Sequence, residues 1–228
     1  IKLDSVDTGR YLLRYDGAVN VRWFGAKADG GLTDLAISVQ SAIESSKPND
    51  TILIPDGTAY YVIKSTVFIT KPITIKGMGT SIQLNATDMD YGATANIRIS
   101  DGVVAFLGGR REGTAYTTDT SLAYDSGQVI FDGLKIRSVT TGSLGTVAIQ
   151  YNNLHNLEVK NCLFRYLDAG VDVTGAYGGD IHNNLFANCK YDVIADPDYI
   201  NGFGAPQGVT DAAYETNDIS IYNNTMAT

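Results

Sequence analysis

Residues 157–164 read LEVKNCLF, residues 180–186 read DIHNNLF and residues 220–226 read SIYNNTM. Superposed, Val159, Ile181 and Ile221 fall in one column, Asn161, Asn183 and Asn223 in a second, and Phe164, Phe186 and Met226 in a third. The first spacing, 186 minus 164, is 22 residues, the length of one solenoid coil. The second, 226 minus 186, is 40, which implies one coil plus a long loop at 195–216 containing Gly202, Gly204, Pro206 and Gly208. Recurrent Asn at one phase has a physical reason. A sharp bend between strands forces one residue into the left-handed region, where Asn is tolerated and can bond its stacked neighbours. A second set of strands, VAIQ (147–150), VDVT (171–174) and YDVI (191–194), runs between these segments. Alternation predicts their β-branched residues inside and Ala148, Asp172 and Asp192 outside.

Upstream, the pattern keeps a period of two in short runs: TILI (51–54), YYVI (60–63), VFI (67–69), ITI (73–75) and SIQL (81–84), each ended by Gly, Pro, Asp or Asn. Runs this short, with few Asn-Gly or Asp-Gly turns, fit stacked parallel coils better than antiparallel hairpins. One segment departs from this period. Leu35, Ile37, Val39, Ala42 and Ile43 recur at helical spacing, Thr33 or Asp34 offers a cap, and Pro48-Asn49-Asp50 stops the run. Ahead of it, residues 1–20 read as a connecting segment with a turn at Asp16-Gly17, and 19–24 as a first strand.

Composition narrows the function. The 228 residues are 44% hydrophobic and 18% charged, with 24 Gly and 14 Tyr, a mixture suited to short strands and frequent turns. A net charge of −8, with no basic cluster larger than Arg110-Arg111, argues against nucleic acid as a partner. No apolar run approaches the roughly 20 residues a membrane helix needs, so no membrane insertion is expected. Cys162 and Cys189 lie in apolar strand-like segments and read as buried thiols. The chain opens at Ile1 without an initiator Met and stops inside a strand pattern, as a piece of a larger protein would.

The string VRWFGAKADG (21–30), Thr33-Asp34, Ala36-Ile37, Gln40, Ala42-Ile43, ILIP (52–55), Gly57 and IKGMG (75–79) resembles the opening of the pectate-lyase-like superfamily. The closest resemblance is to phage tailspike and tail-fibre members. Ala28 stands where Gly is usual, Gly31 is inserted, and Leu35 replaces a second Asp. The resemblance implies an all-β, single-stranded right-handed parallel β-helix whose N-terminal end is plugged by one α-helix. It divides the chain into a connecting segment at 1–20, a cap strand and helix at 21–50, and coils over 51–228. It also implies a homotrimer on a virion tail, acting on a bacterial surface polysaccharide. The alternatives are a non-catalytic shaft or adhesin segment of a trimeric fibre and, third, a secreted, extracellular polysaccharide lyase.

The opening is structural, so chemistry must come from a site. Glycoside hydrolysis needs two carboxylates flanking the bond. Asp172 and Asp192 are the candidates if adjacent coils place them in one outward column, where like charges would raise one pKa. Asp168, Asp196 and Asp198 lie nearby as substitutes, and outward Asp is also ordinary solvated strand surface. Tyr151, Tyr177, Tyr191 and Tyr199 cluster in sequence around these acids and offer flat faces to sugar rings. A lyase would need basic residues beside the acids, and apart from Arg165 these are scarce. Only His155 and His182 exist and no G-x-S-x-G elbow occurs, which disfavours a serine hydrolase; Gly77-Met78-Gly79 precedes a strand pattern and reads as a turn. No cofactor or metal is required, although Asp192, Asp196 and Asp198 would suit calcium if brought together.

Overall fold

The computed structural model describes residues 2–5, 11–15, 17–57, 59–78, 96–109, 127–140, 144–152, 155–173, 176–195 and 217–227. Apart from an antiparallel pair, Lys2–Ser5 with Tyr11–Arg14, every strand pairing is parallel. Three sheets run the length of the solenoid. The first stacks Val19–Asn20, Thr51–Ile54, Thr74–Gly77, Val129–Asp132, His155–Lys160, Tyr177–His182 and Asn217–Tyr222. The second stacks Tyr61–Ile63, Asn96–Ile99, Lys135–Ser138, Leu163–Arg165, Leu185–Ala187 and Thr225–Ala227. The third stacks Val67–Ile69, Val104–Gly109, Val147–Asn152, Ala169–Asp172 and Tyr191–Ile194. The chain visits the sheets in rotation, one strand each per coil, and forms a right-handed parallel β-helix.

The predicted columns are present. Ile75, Phe131, Val159, Ile181 and Ile221 are in register, as are Phe164, Phe186 and Met226. Burying one such side chain contributes about 1.5–3 kcal/mol, and the columns repeat that gain as far as Ile181 and Phe186, while Ile221 and Met226 on the last rung are exposed. The rings of Phe164 and Phe186 stack with centroids 5.0 Å apart. Asn161, Asn183 and Asn223 all take positive φ, between 53° and 55°, as their phase predicts. Asn161 bonds Asp132 on the neighbouring rung, and the buried stacking bonds come from the next column, Cys162, Asn184 and Asn224. Asn184 Oδ1 accepts from the Cys162 backbone N–H at 2.9 Å, and Asn184 Nδ2 donates to the Val159 carbonyl at 2.9 Å. Asn224 repeats this one rung on, accepting from the Asn184 N–H at 2.9 Å and donating to the Ile181 carbonyl at 2.7 Å. These amides satisfy turn groups that the strand ladders leave over.

The helix is Leu35–Ser45, capped by Asp34, whose carboxylate accepts from the Ala36 N–H at 3.0 Å. Leu35, Val39, Ala42 and Ile43 are buried, while Ile37 faces solvent, off the predicted stripe. The expected first strand ends early. Only Val19–Asn20 pairs, and Val21–Phe24 turns into a 3-10 segment capped by Asn20. The run at 81–84 lies outside the described residues.

Candidate functional site

Alternation on the first sheet sends Val159, Ile181 and Ile221 inward and the residues on either side outward. One outward column holds Glu158, Asp180 and Ser220; the next holds Lys160, His182 and Tyr222. Glu158 and Asp180 are direct register partners, the only carboxylate pair so matched among the described strands. Parallel strands place their backbones about 4.8 Å apart, close to the roughly 5–5.5 Å separation that retaining glycosidases use.

Glu158 is tightly held. Its Oε1 accepts from Lys160 Nζ at 2.9 Å and lies 3.1 Å from His182 Nε2. Burial pushes the Glu158 pKa up, but the bonds and charges of Lys160 and His182 outweigh it, and the net pKa lies below the ordinary glutamate range. His182 Nδ1 is 2.9 Å from Asn183 Nδ2. The opposite side of the imidazole meets Tyr222, the rings parallel with centroids 4.9 Å apart. Tyr222 is 44% exposed and presents a flat face to solvent. Further along the same column, Lys76 and Asp132 pair at 3.5 Å, and Asn161 donates to Asp132 at 2.9 Å.

The expected acid column on the third sheet takes another shape. Asp172 is in register with Ile194 and Gln150, whereas Asp192 falls opposite Gly170, so the two aspartates do not share a column. The offset follows from coil length: register partners on these strands are 22 residues apart, whereas Asp172 and Asp192 are 20 apart. Ala148, predicted outward, joins the core together with its neighbour Ile149. A Cβ on Gly170, the residue stacked on Asp192, would meet the Phe186 ring at 2.7 Å, so that position also looks inward. Asp172 is only 2% exposed and accepts from Gln150 Nε2 at 3.1 Å. Asp192 is half-buried, and desolvation raises its pKa. Asp168 is a buried structural group that accepts from the Gly145 N–H at 2.7 Å and pairs with Lys190 at 3.5 Å.

Tyr151 is a core residue and not a groove wall; burial raises its pKa strongly. Tyr191 is exposed, with Lys190 Nζ 5.0 Å from its ring centroid. The side chains of Tyr177 and His155, and Tyr199, Asp196, Asp198 and nearly all of the 195–216 loop, lie outside the described residues. Among the described residues, no three His, Cys, Asp or Glu side chains gather to hold a metal ion, and no helix is long and apolar enough to cross a membrane.

A helical stack of parallel rungs, capped by one helix and carrying ionisable columns outside, defines the class of pectate-lyase-like solenoids. Residues 18–228 match the family described as rhamnogalacturonase A/epimerase, pectate lyase-like, and the chain belongs to that family. No curated protein matches it in sequence. Among solved structures, the surface adhesin PfbA of Streptococcus pneumoniae aligns at 17% identity and a TM-score of 0.50, covering 91% of this chain and 48% of its own. The family 28 exopolygalacturonase of Yersinia enterocolitica aligns at 16% identity and a TM-score of 0.49, covering 95% and 50%. The chain therefore spans about half the length of either protein.

Proposed function

We propose that this chain is the polysaccharide-handling β-helix of a phage tailspike or tail fibre, and that it binds a bacterial surface glycan along the outward face of the first sheet. The observation that carries the reading is the Glu158–Asp180 register pair beside the His182–Tyr222 stack. In hydrolysis, Glu158, held ionised by Lys160 and His182, serves as the nucleophile or base. Asp180, one rung away, supplies the proton to the leaving oxygen. Tyr222 offers a platform for a sugar ring. Asp172 and Asp192 rank second, because burial and register separate them. The resemblance of the opening segment supports a place on the virion tail and a trimeric assembly.

The test is reducing-end release from host capsule or lipopolysaccharide. Glu158→Gln and Asp180→Asn each should abolish release while leaving glycan binding within a few-fold, and Asp172→Asn/Asp192→Asn should keep it. Full activity in Glu158→Gln/Asp180→Asn would overturn the assignment. A non-catalytic shaft or adhesin is favoured by one observation, that Lys160 and His182 already satisfy Glu158. Binding by wild type without release would select it.

A further inference from the structure

The outward face of the first sheet carries its positive charges already paired. Its two outward columns run Thr74, Ile130, Glu158, Asp180 and Ser220, and Lys76, Asp132, Lys160, His182 and Tyr222. Both lysines are held by the chain's own carboxylates. Lys76 Nζ lies 3.5 Å from Asp132 Oδ2, and Lys160 Nζ donates to Glu158 Oε1 at 2.9 Å. Asp132 also accepts from Asn161 Nδ2 at 2.9 Å, and Glu158 meets His182 Nε2 at 3.1 Å. Asp180 is half-buried one rung beyond Glu158, and no lysine or arginine pairs with it among the described residues. The two columns thus set three carboxylates against two lysines, and the unmatched negative charge falls at Asp180. The net charge of the whole chain, −8, has the same sign.

A polyuronate brings a carboxylate on every sugar. To lie along this face it would have to draw a lysine away from Asp132 or Glu158, leaving that carboxylate uncompensated, and would bring its own charge up to Asp180 as well. Two like charges about 4 Å apart lower affinity about five-fold in water, and by more where the sugar displaces solvent. Like-charge contacts of this kind decide which partner is refused. A hydroxyl-rich, uncharged glycan meets the opposite situation. Ionised carboxylates are pure acceptors with room for more than one hydroxyl. The exposed amides of Asn183 and Asn223 follow His182 and Tyr222 at the bend, and the Tyr222 ring offers a flat apolar face. None of these groups needs a charge on the ligand.

We propose that the outward face of the first sheet selects uncharged, hydroxyl-rich glycans and excludes polyuronates, and that the Lys76–Asp132 pair and Asp180 set this preference. The inference rests on the reading that a glycan lies along this face and adds to it the charge class of that glycan.

The experiment presents oligosaccharides of polygalacturonate, alginate and the host capsule to the intact protein, each acidic one beside its carboxyl-reduced form, with binding read by biolayer interferometry. The members of a pair differ in charge alone. Wild type should hold the reduced member at least about five-fold more tightly than its uronate parent. Asp132→Asn removes a negative charge and frees Lys76, and should narrow that preference to less than about two-fold. Lys76→Gln should keep or widen it. Asp180→Asn should narrow it too, and serves if Asp132→Asn misfolds by circular dichroism. Binding of an uncharged capsule oligosaccharide with no uronate held also supports the proposal. A uronate held as tightly as its reduced partner, or a preference unchanged in both Asp132→Asn and Asp180→Asn, would overturn the proposal and leave glycan binding standing. Failure of wild type to hold any of these saccharides would overturn the glycan reading itself, and this inference with it.

Discussion

Replacing Asn184 by Ala tests how far the turn amides, as distinct from the apolar columns, hold the coils together. Asn184 is fully buried between the first and second sheets. Its truncation strands the Cys162 N–H and the Val159 carbonyl, each now bonded at 2.9 Å. A buried polar group left without a partner costs about 1–3 kcal/mol, so the pair costs about 2–6 kcal/mol if water cannot enter. In a chain of this size each kcal/mol moves the melting temperature by about 2–4 °C, which gives a drop of roughly 4–24 °C. Differential scanning calorimetry at neutral pH reads it. The neighbouring Asn183, exposed and at φ 55°, serves as control. Asn183→Ala replaces a residue that tolerates the left-handed region with one that does so less well, at up to about 1 kcal/mol, and Asn183→Gly should stay near wild type. Should Asn184→Ala melt within about 1 °C of wild type, or above Asn183→Ala, the buried amide ladder does not stabilise the bends.

Glu158 has a lowered pKa in the folded state, so its contribution to stability is present above the unfolded glutamate pKa and lost as pH falls through the folded value. Glu158→Gln should therefore flatten the acid limb of a melting-temperature profile, and an unchanged limb would show that the Lys160 and His182 bonds are not formed in solution. Gly170→Ala places a methyl 2.7 Å from the Asp192 carbonyl oxygen and 2.7 Å from the Phe186 ring. It should cost about 1–3 kcal/mol in urea unfolding, against little effect for Ala at an open surface site. Burial pushes both Cys162 and Cys189 up to about 12, so both stay protonated at pH 8. Ellman's reagent should find no fast thiol in the native protein and two after denaturation.

The repeat around Val159, Ile181 and Ile221 made the solenoid legible, because one physical requirement, an apolar residue per rung, leaves the same trace in each coil. The same alignment also holds the acid pair. Glu158 and Asp180 sit one position before Val159 and Ile181, and alternation alone turns them outward. Sequence proximity of Asp and Tyr drew attention instead to Asp172, Asp192 and Tyr151. That pairing matches residues 20 apart, whereas the register here advances by 22, so Asp172 meets Ile194 instead of Asp192. Short strands of similar composition leave such a two-residue slip without a signature. The Asn column holds the left-handed bends as expected, and the column beside it adds the buried bonds. Positive φ favours Asn at Asn161, Asn183 and Asn223, whereas the buried bonds between rungs need the amides of Asn184 and Asn224.

The central claim is that a glycan lies along the first sheet's outer face, across Glu158, Asp180 and Tyr222. A crystal structure of the intact protein, in its Glu158→Gln form, soaked with an oligosaccharide of the host capsule would test it most directly. The account predicts a sugar ring against Tyr222 with a glycosidic oxygen within hydrogen-bond reach of Asp180. Saccharide seated only over Asp172 and Tyr191 on the third sheet, or a bare first sheet at saturating ligand, would contradict it.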